Sequence, residues 1–225
     1  SLTNGLNGLI FCNDDLRDDQ LFDKNVIVDL SRVGSMETKS LIMGLLVMRL
    51  NEYRMTSEKT NSPLTHITVL EEAHNLLKRT STEQSSESSN LLGKSVELLA
   101  NSIAEMRTYG EGFIIADQSP GLLDMSVIRN TNTKLILRLP EKSDRELVGL
   151  AASLNEEQIG ELSKLERGVA AVYQNDWIEP VLVKISKCGI SENPYGSKEH
   201  TAETDIILLR KQTLSLLIQG RVSER

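Results

Sequence analysis

Short apolar runs rich in β-branched residues alternate along this chain with longer segments of helical period. That alternation restricts the fold more than any other feature of the sequence. "NVIVDLS" (25–31), "HITVL" (66–70), "GFIIADQSP" (112–120) and "TKLILRL" (133–139) read as strands, two of them closed by Pro120 and Pro140. The first is expected to be buried, because Val26, Ile27 and Val28 are continuous. Between these runs, "METKSLIMGLLVMRLNEYRM" (36–55) reads as a helix carrying Leu41, Ile42, Leu45, Leu46, Leu50 and Tyr53. A second helical pattern places Leu92, Val96, Leu99, Ile103 and Met106 at steps of 4, 3, 4 and 3. Shorter helical patterns near 143–151 and 155–163 precede "GVAAVYQ" (168–174) and "EPVLVKIS" (179–186), which have the signature of a hairpin. Strands alternating with helices predict an α/β fold with a mainly parallel sheet flanked by helices.

The chain of 225 residues is long enough for one domain with a real core. Its formal net charge is −7, so any contact with nucleic acid must be local, through a loop or a channel lining. Cys12 and Cys188 stand far apart with no CxxC, which predicts free thiols in a reducing, cytoplasmic setting. Apolar runs such as "LLVM" (45–48) are far below a bilayer span, so no membrane partner is expected. The Ser/Thr-rich stretch 78–90 reads as a mobile loop, and "DDLRDD" (14–19) as a solvated acidic turn. A polar segment, 188–200, leads to a last amphipathic helix, 202–219.

Gly93-Lys94-Ser95 spells the end of a phosphate-binding loop. Such a loop needs a preceding strand and a glycine five residues before the second one, because bare backbone N–H groups must curl around phosphate oxygens. The position five before Gly93 is Ser88, and no glycine lies between Gly44 and Gly93. The triplet therefore belongs to a helix, and the 225 residues contain no convincing Walker A loop.

The chemistry-bearing signal is "HITVLEEAHNLL" (66–77), an apolar strand ending in two acids. Carboxylates at the C-terminal rim of a sheet suit phosphoryl transfer: Glu71 would hold Mg²⁺ and its water shell, and Glu72 would orient the attacking water. A strand meeting a charged helix start would give the same letters. "FIIADQSP" ends in Asp117 and Gln118, whose amide could sense a γ-phosphate or simply serve a turn before Pro120. Arg138, at the end of "NTNTKLILRL", could stabilise transition-state charge if presented to a neighbour, or form a surface salt bridge. His66, His74 and His200 show no zinc or triad spacing; His74 is expected to hydrogen-bond near the glutamates.

Taken in order, "VIVDLS", "VLEEAHNLL", "EMRTYGEGFIIADQSPGLLD", "VIRNTNTKLILRLPEKSDRELVG" and "LERGVAAVY" resemble the ATPase core of the HerA/FtsK superfamily, and HerA-like ATPases in particular. The resemblance covers roughly residues 25–186. It implies a P-loop NTPase (RecA-like) fold and a hexameric ring motor that moves double-stranded DNA through a central channel. ATP and Mg²⁺ are the implied cofactors, a homo-oligomer the implied assembly, and a nuclease an implied partner. On this resemblance Glu71 and Glu72 form the Walker B pair, Gln118 the polar sensor, and Arg138 the arginine supplied in trans. Arg107 matches a family arginine and equally suits a helix C-terminal cap with Gly110.

The missing Walker A strand makes the expected sheet incomplete, with "GLIFCN" (8–13) as a substitute for it. The implied organisation is a boundary segment or loop (1–24), a partial RecA-like core (25–187), then a linker and C-terminal amphipathic helix (188–225). The expected function is the C-terminal part of an ATP-driven DNA translocase or helicase, inactive in hydrolysis as an isolated chain. Lys78 and Arg79 would touch DNA phosphates. Two other readings stay open: a non-catalytic module for oligomerisation or partner docking, and a conjugation-type secretion ATPase.

Overall fold

The computed structural model describes residues 16–56, 60–79 and 87–189, with side chains in 87–95 excepted. The chain divides into two units at Ile185/Ser186, and the first carries every helix and strand among the described residues. The segment 8–13, Cys12, His200 and the helix expected at 202–219 lie outside the described residues.

Helices α1 (Asp18–Phe22) and α2 (Met36–Thr56) come first. Next is strand β1 (His66–Glu71), which runs into a 3₁₀ turn at Ala73–Asn75. Helix α3 (Glu87–Glu105) ends in a second 3₁₀ turn, Met106–Tyr109, and leads to β2 (Glu111–Ala116). A third 3₁₀ turn (Pro120–Leu122) and α4 (Met125–Asn130) precede β3 (Thr133–Ile136). Helices α5 (Lys142–Ala151) and α6 (Glu156–Glu161) then lead to strands β4 (Val169–Gln174) and β5 (Val181–Lys184).

Local chemistry explains several of these boundaries. Asp124 caps α4 by accepting from the Ser126 N–H at 2.9 Å. Asn155 and Gln158 form a reciprocal capping box at α6, with both bonds 2.9 Å. Gly110 ends the turn after α3 with φ +80°, its N–H reaching the Arg107 carbonyl. A Cβ at Gly110 would stand 2.4 Å from the Pro63 carbonyl oxygen. Gly110→Ala therefore combines left-handed strain with a backbone clash, and about 2–4 kcal/mol of lost stability is expected in denaturant unfolding.

β1 and β2 pair in parallel, from His66 opposite Glu111 to Glu71 opposite Ala116. β3, β4 and β5 form a separate antiparallel sheet in that order. Two apolar cores result. One gathers Leu50, Leu70, Leu77, Ile103, Met106 and Val127 between α2, α3 and the parallel pair. The other gathers Ile136, Leu154, Ile159, Leu162 and Ala171 under the antiparallel sheet. Ile67, Val69 and Ile114 leave the outer face of the parallel pair exposed.

Three expectations need correction. Residues 25–30 run without a ladder partner among the described residues, and Ile27 is 89% exposed. An apolar run becomes a buried strand only beside a hydrogen-bonding neighbour, and among the described residues β1 pairs with β2 alone. Within 1–24, residues 18–22 are helical rather than loop, because Phe22 enters the first core and Asp18 accepts from Arg49 Nε at 2.5 Å. The polar stretch 78–90 is not one loop. Lys78 bridges Leu123, the Arg79 N–H donates to the Leu122 carbonyl at 2.7 Å, and 87–90 already belong to α3; residues 80–86 lie outside the described set. On α2 the buried positions are Ile42, Val47 and Leu50, while Leu41 and Leu45 face outward. Gly93-Lys94-Ser95 falls inside α3, as its missing glycine requires.

Candidate active site at the strand tips

The parallel register fixes what meets at the C-terminal ends of β1 and β2. With Glu71 opposite Ala116, the next residues, Glu72 and Asp117, leave their strands side by side. Glu71, the last residue of β1, is exposed, as alternation from buried Leu70 dictates. Glu72 breaks that alternation. It adopts φ 49°, ψ 51°, a left-handed conformation that costs a non-glycine residue about 1–2 kcal/mol. The strand turns there into Ala73–Asn75, and the Glu72 carbonyl accepts from both the N–H and the side-chain amide of Asn75, each at 2.9 Å.

The turn sends the Glu72 carboxylate back toward β2. Gln118 Nε2 donates to Glu72 Oε1 at 2.6 Å. The second oxygen, Oε2, lies 3.5 Å from His74 Nδ1. His74 Nδ1 also lies 2.9 Å from Asp117 Oδ2. Carboxylates accept only, so Nδ1 carries the proton and donates it. Asp117 Oδ2 further accepts the His74 backbone N–H at 2.8 Å, and Oδ1 accepts from the Ser119 N–H at 2.8 Å. The Asp117 side chain is 3% exposed.

Two of the predicted residues, Glu72 and Gln118, are thus in direct contact, and Glu71 stands beside them on β1. Arg138 lies elsewhere, two residues beyond the end of β3 in the other sheet. It is exposed, and among the described residues its side chain forms no ion pair or hydrogen bond. Arg107 sits in the turn capped by Gly110, with its side chain exposed. Lys78 and Arg79 are exposed and held by their backbones, three to four residues past the site turn.

Asp117 is the site residue that the sequence reading does not single out. Aligning the ends of the two strands in parallel register is the signal that finds it, because the first polar residue after β2 must face the first residue after β1. Glu72, His74 and Asp117 each offer one donor atom within 4.8 Å of the others. The imidazole proton is already committed to Asp117, which accepts two bonds from His74 and one from the Ser119 N–H. Glu71 is different: its exposed carboxylate is an open oxygen donor, which suits a hard cation that keeps its waters.

No protein-family model matches the chain. Over 165 residues it is 32% identical to the DNA double-strand break repair helicase HerA of Sulfolobus acidocaldarius, covering 72% of this chain and 31% of that protein. It is 36% identical over 123 residues to the HerA helicase of Sulfurisphaera tokodaii, covering 54% and 23%. The chain thus spans under a third of the length of these relatives. Among solved structures, B204, the DNA-packaging ATPase of Sulfolobus turreted icosahedral virus, superposes with a TM-score of 0.50 at 12% identity, over 81% of this chain and 78% of that one. VirB4 of Thermoanaerobacter pseudethanolicus also gives 0.50, at 14% identity over 70% and 39%. No helix among the described residues is long and apolar enough to cross a membrane. The sequence relationship to HerA and the fold shared with B204 and VirB4 agree: this chain is a HerA-like protein.

Proposed function

We propose that this chain supplies the hydrolytic part of an ATP-driven motor acting on double-stranded DNA. The observation that carries the reading is the 2.6 Å contact between Gln118 Nε2 and Glu72 Oε1 at the adjoining tips of two parallel strands. It couples an acceptor able to orient water to an amide able to register the phosphate beyond it. Glu71 would hold the Mg²⁺ water shell, and Mg²⁺ when bound would neutralise charge developing on the phosphates. The sequence relationship to helicases named HerA supports DNA as the substrate.

No glycine-rich phosphate loop occurs in the 225 residues, so the phosphates would be cradled by a segment outside this sequence. On this reading the isolated chain does not hydrolyse ATP. Arg138, exposed and unpaired among the described residues, would act on the nucleotide of an adjacent subunit in a ring, the hexamer being the expected form. A nuclease would act with the assembled motor. The test is DNA-stimulated ATP hydrolysis by the full-length protein with Glu72→Gln, and full activity in that variant removes the reading.

DNA contact through Lys78 and Arg79 has its own check. Each phosphate contact contributes about 0.9 to the slope of log affinity against log salt. Replacing both by alanine is expected to reduce that slope by about 2, uniformly across DNA sequences. An unchanged slope would place the DNA elsewhere.

A further inference from the structure

We propose that Asp117, acting through His74, is the positioning residue for Glu72. The inference rests on the hydrolytic reading of Glu72, but its evidence is separate. Glu72 occupies a left-handed conformation that a glutamate does not choose by itself, so the surrounding structure must impose it. The 3₁₀ turn after Glu72 fixes the exit path of the chain, and the side chain gripping that turn from outside it is Asp117.

One carboxylate oxygen of Asp117 takes both the backbone N–H and the ring N–H of His74, at 2.8 and 2.9 Å. The other takes the Ser119 N–H at 2.8 Å, which fixes Asp117 to its own loop. A buried carboxylate accepting three N–H bonds is a strong tie, because charge-assisted bonds gain weight where water is excluded. It fastens the tip of β1 to the tip of β2. Gln118, the next residue along, then faces Glu72 Oε1, while the His74 ring borders Oε2. Both oxygens of Glu72 therefore take their places from loops that Asp117 holds together. The Asp117 side chain is buried and its bonds go to His74 and Ser119, so its effect on Glu72 passes through position.

A positioning role predicts a specific kinetic pattern in the full-length protein. Displacing an acid–base group by about 1 Å can cost on the order of 100-fold in rate. Asp117→Ala is expected to lower kcat for ATP by tenfold or more, with KM changed less than about threefold. His74→Ala should behave alike. His74→Asn, whose amide nitrogen can occupy the place of Nδ1, should retain kcat within about threefold of the natural protein. A purely structural role would not separate these two His74 variants at equal thermal stability.

If Asp117→Ala does not fold, Asp117→Asn decides in its place. It keeps the volume and one acceptor but presents an N–H₂ to the other donors, so kcat should again fall at steady KM. Natural kcat in a folded Asp117 variant, with Glu72→Gln inactive, would overturn the positioning role and leave the hydrolytic reading intact. If Glu72→Gln is fully active, the hydrolytic reading falls, and a crystal structure of the Asp117 variant decides the tie. Glu72 leaving the left-handed region supports it; an unmoved Glu72 overturns it.

Discussion

Glu72→Gln is expected to lower ATP turnover of the full-length protein by roughly 10²–10⁴-fold, the range contributed by a positioned general base. The substitution keeps the side-chain volume and the carbonyl-type oxygen that Gln118 Nε2 contacts at 2.6 Å, so that bond can survive. The loss is of a charged acceptor for the proton of an attacking water. The backbone at position 72 is left-handed for either residue, and the site is partly exposed. Thermal stability should therefore change by no more than about 0.5 kcal/mol. ATP and DNA affinity should persist, which distinguishes a lost base from a lost fold. Measured turnover, a melting curve and a DNA-binding isotherm on the same preparation check all three.

Glu111→Ala is expected to have the largest effect on stability, about 3–5 kcal/mol, or about 6–20 °C in Tm. Glu111 opens β2, and its side chain is 0% exposed. It accepts from Arg54 Nε at 3.0 Å, His66 Nδ1 at 2.7 Å and Thr68 Oγ1 at 2.7 Å. Removing it leaves the guanidinium of Arg54, only 11% exposed, without its inner partner, and leaves two further donors unmet. Glu111→Gln should cost less, since one acceptor remains. This cluster lies at the opposite end of β1 and β2 from Glu72, so residual ATP turnover in a folded Glu111→Gln variant should be near natural.

The outer partner of Arg54 makes the same region sensitive to acid. Bonds from Arg54 and Tyr53 hold the Asp23 carboxyl below the usual carboxylate range, against the opposing effect of burial. A depressed carboxylate contributes stability that is present above its unfolded pKa and lost as pH falls through the folded one. Unfolding followed between pH 5 and pH 2 should show an Arg54-dependent loss in the acid limb. That loss should be absent in Asp23→Asn.

The extended segment and the site differ in how much the sequence disclosed. The alternation of apolar runs fixed α2, β1, β2 and the β4–β5 hairpin, because side-chain period is a local property of the backbone. The acids closing "HITVL" and the amide after "FIIAD" were legible for the same reason: a strand end is written in the letters just beyond it. Residues 25–30 carried an equally strong pattern and yet stay unpaired among the described residues, with 25–29 exposed, since pairing requires a neighbour that no local pattern can supply. Glu111 was invisible because burying a carboxylate depends on Arg54, His66 and Thr68 arriving from elsewhere in the chain.

By itself, then, the sequence disclosed most of the secondary elements, the HerA-like relationship and the acids and amide that close two neighbouring strands. Tertiary structure alone decided that parallel register sets Asp117 beside Glu72, that His74 bridges them, and that Arg138 stands on a separate sheet. The physical reason is range. Periodicity, capping and turn chemistry act over a few residues, whereas a carboxylate that accepts hydrogen bonds from a turn more than forty residues away exists only once two strands have paired.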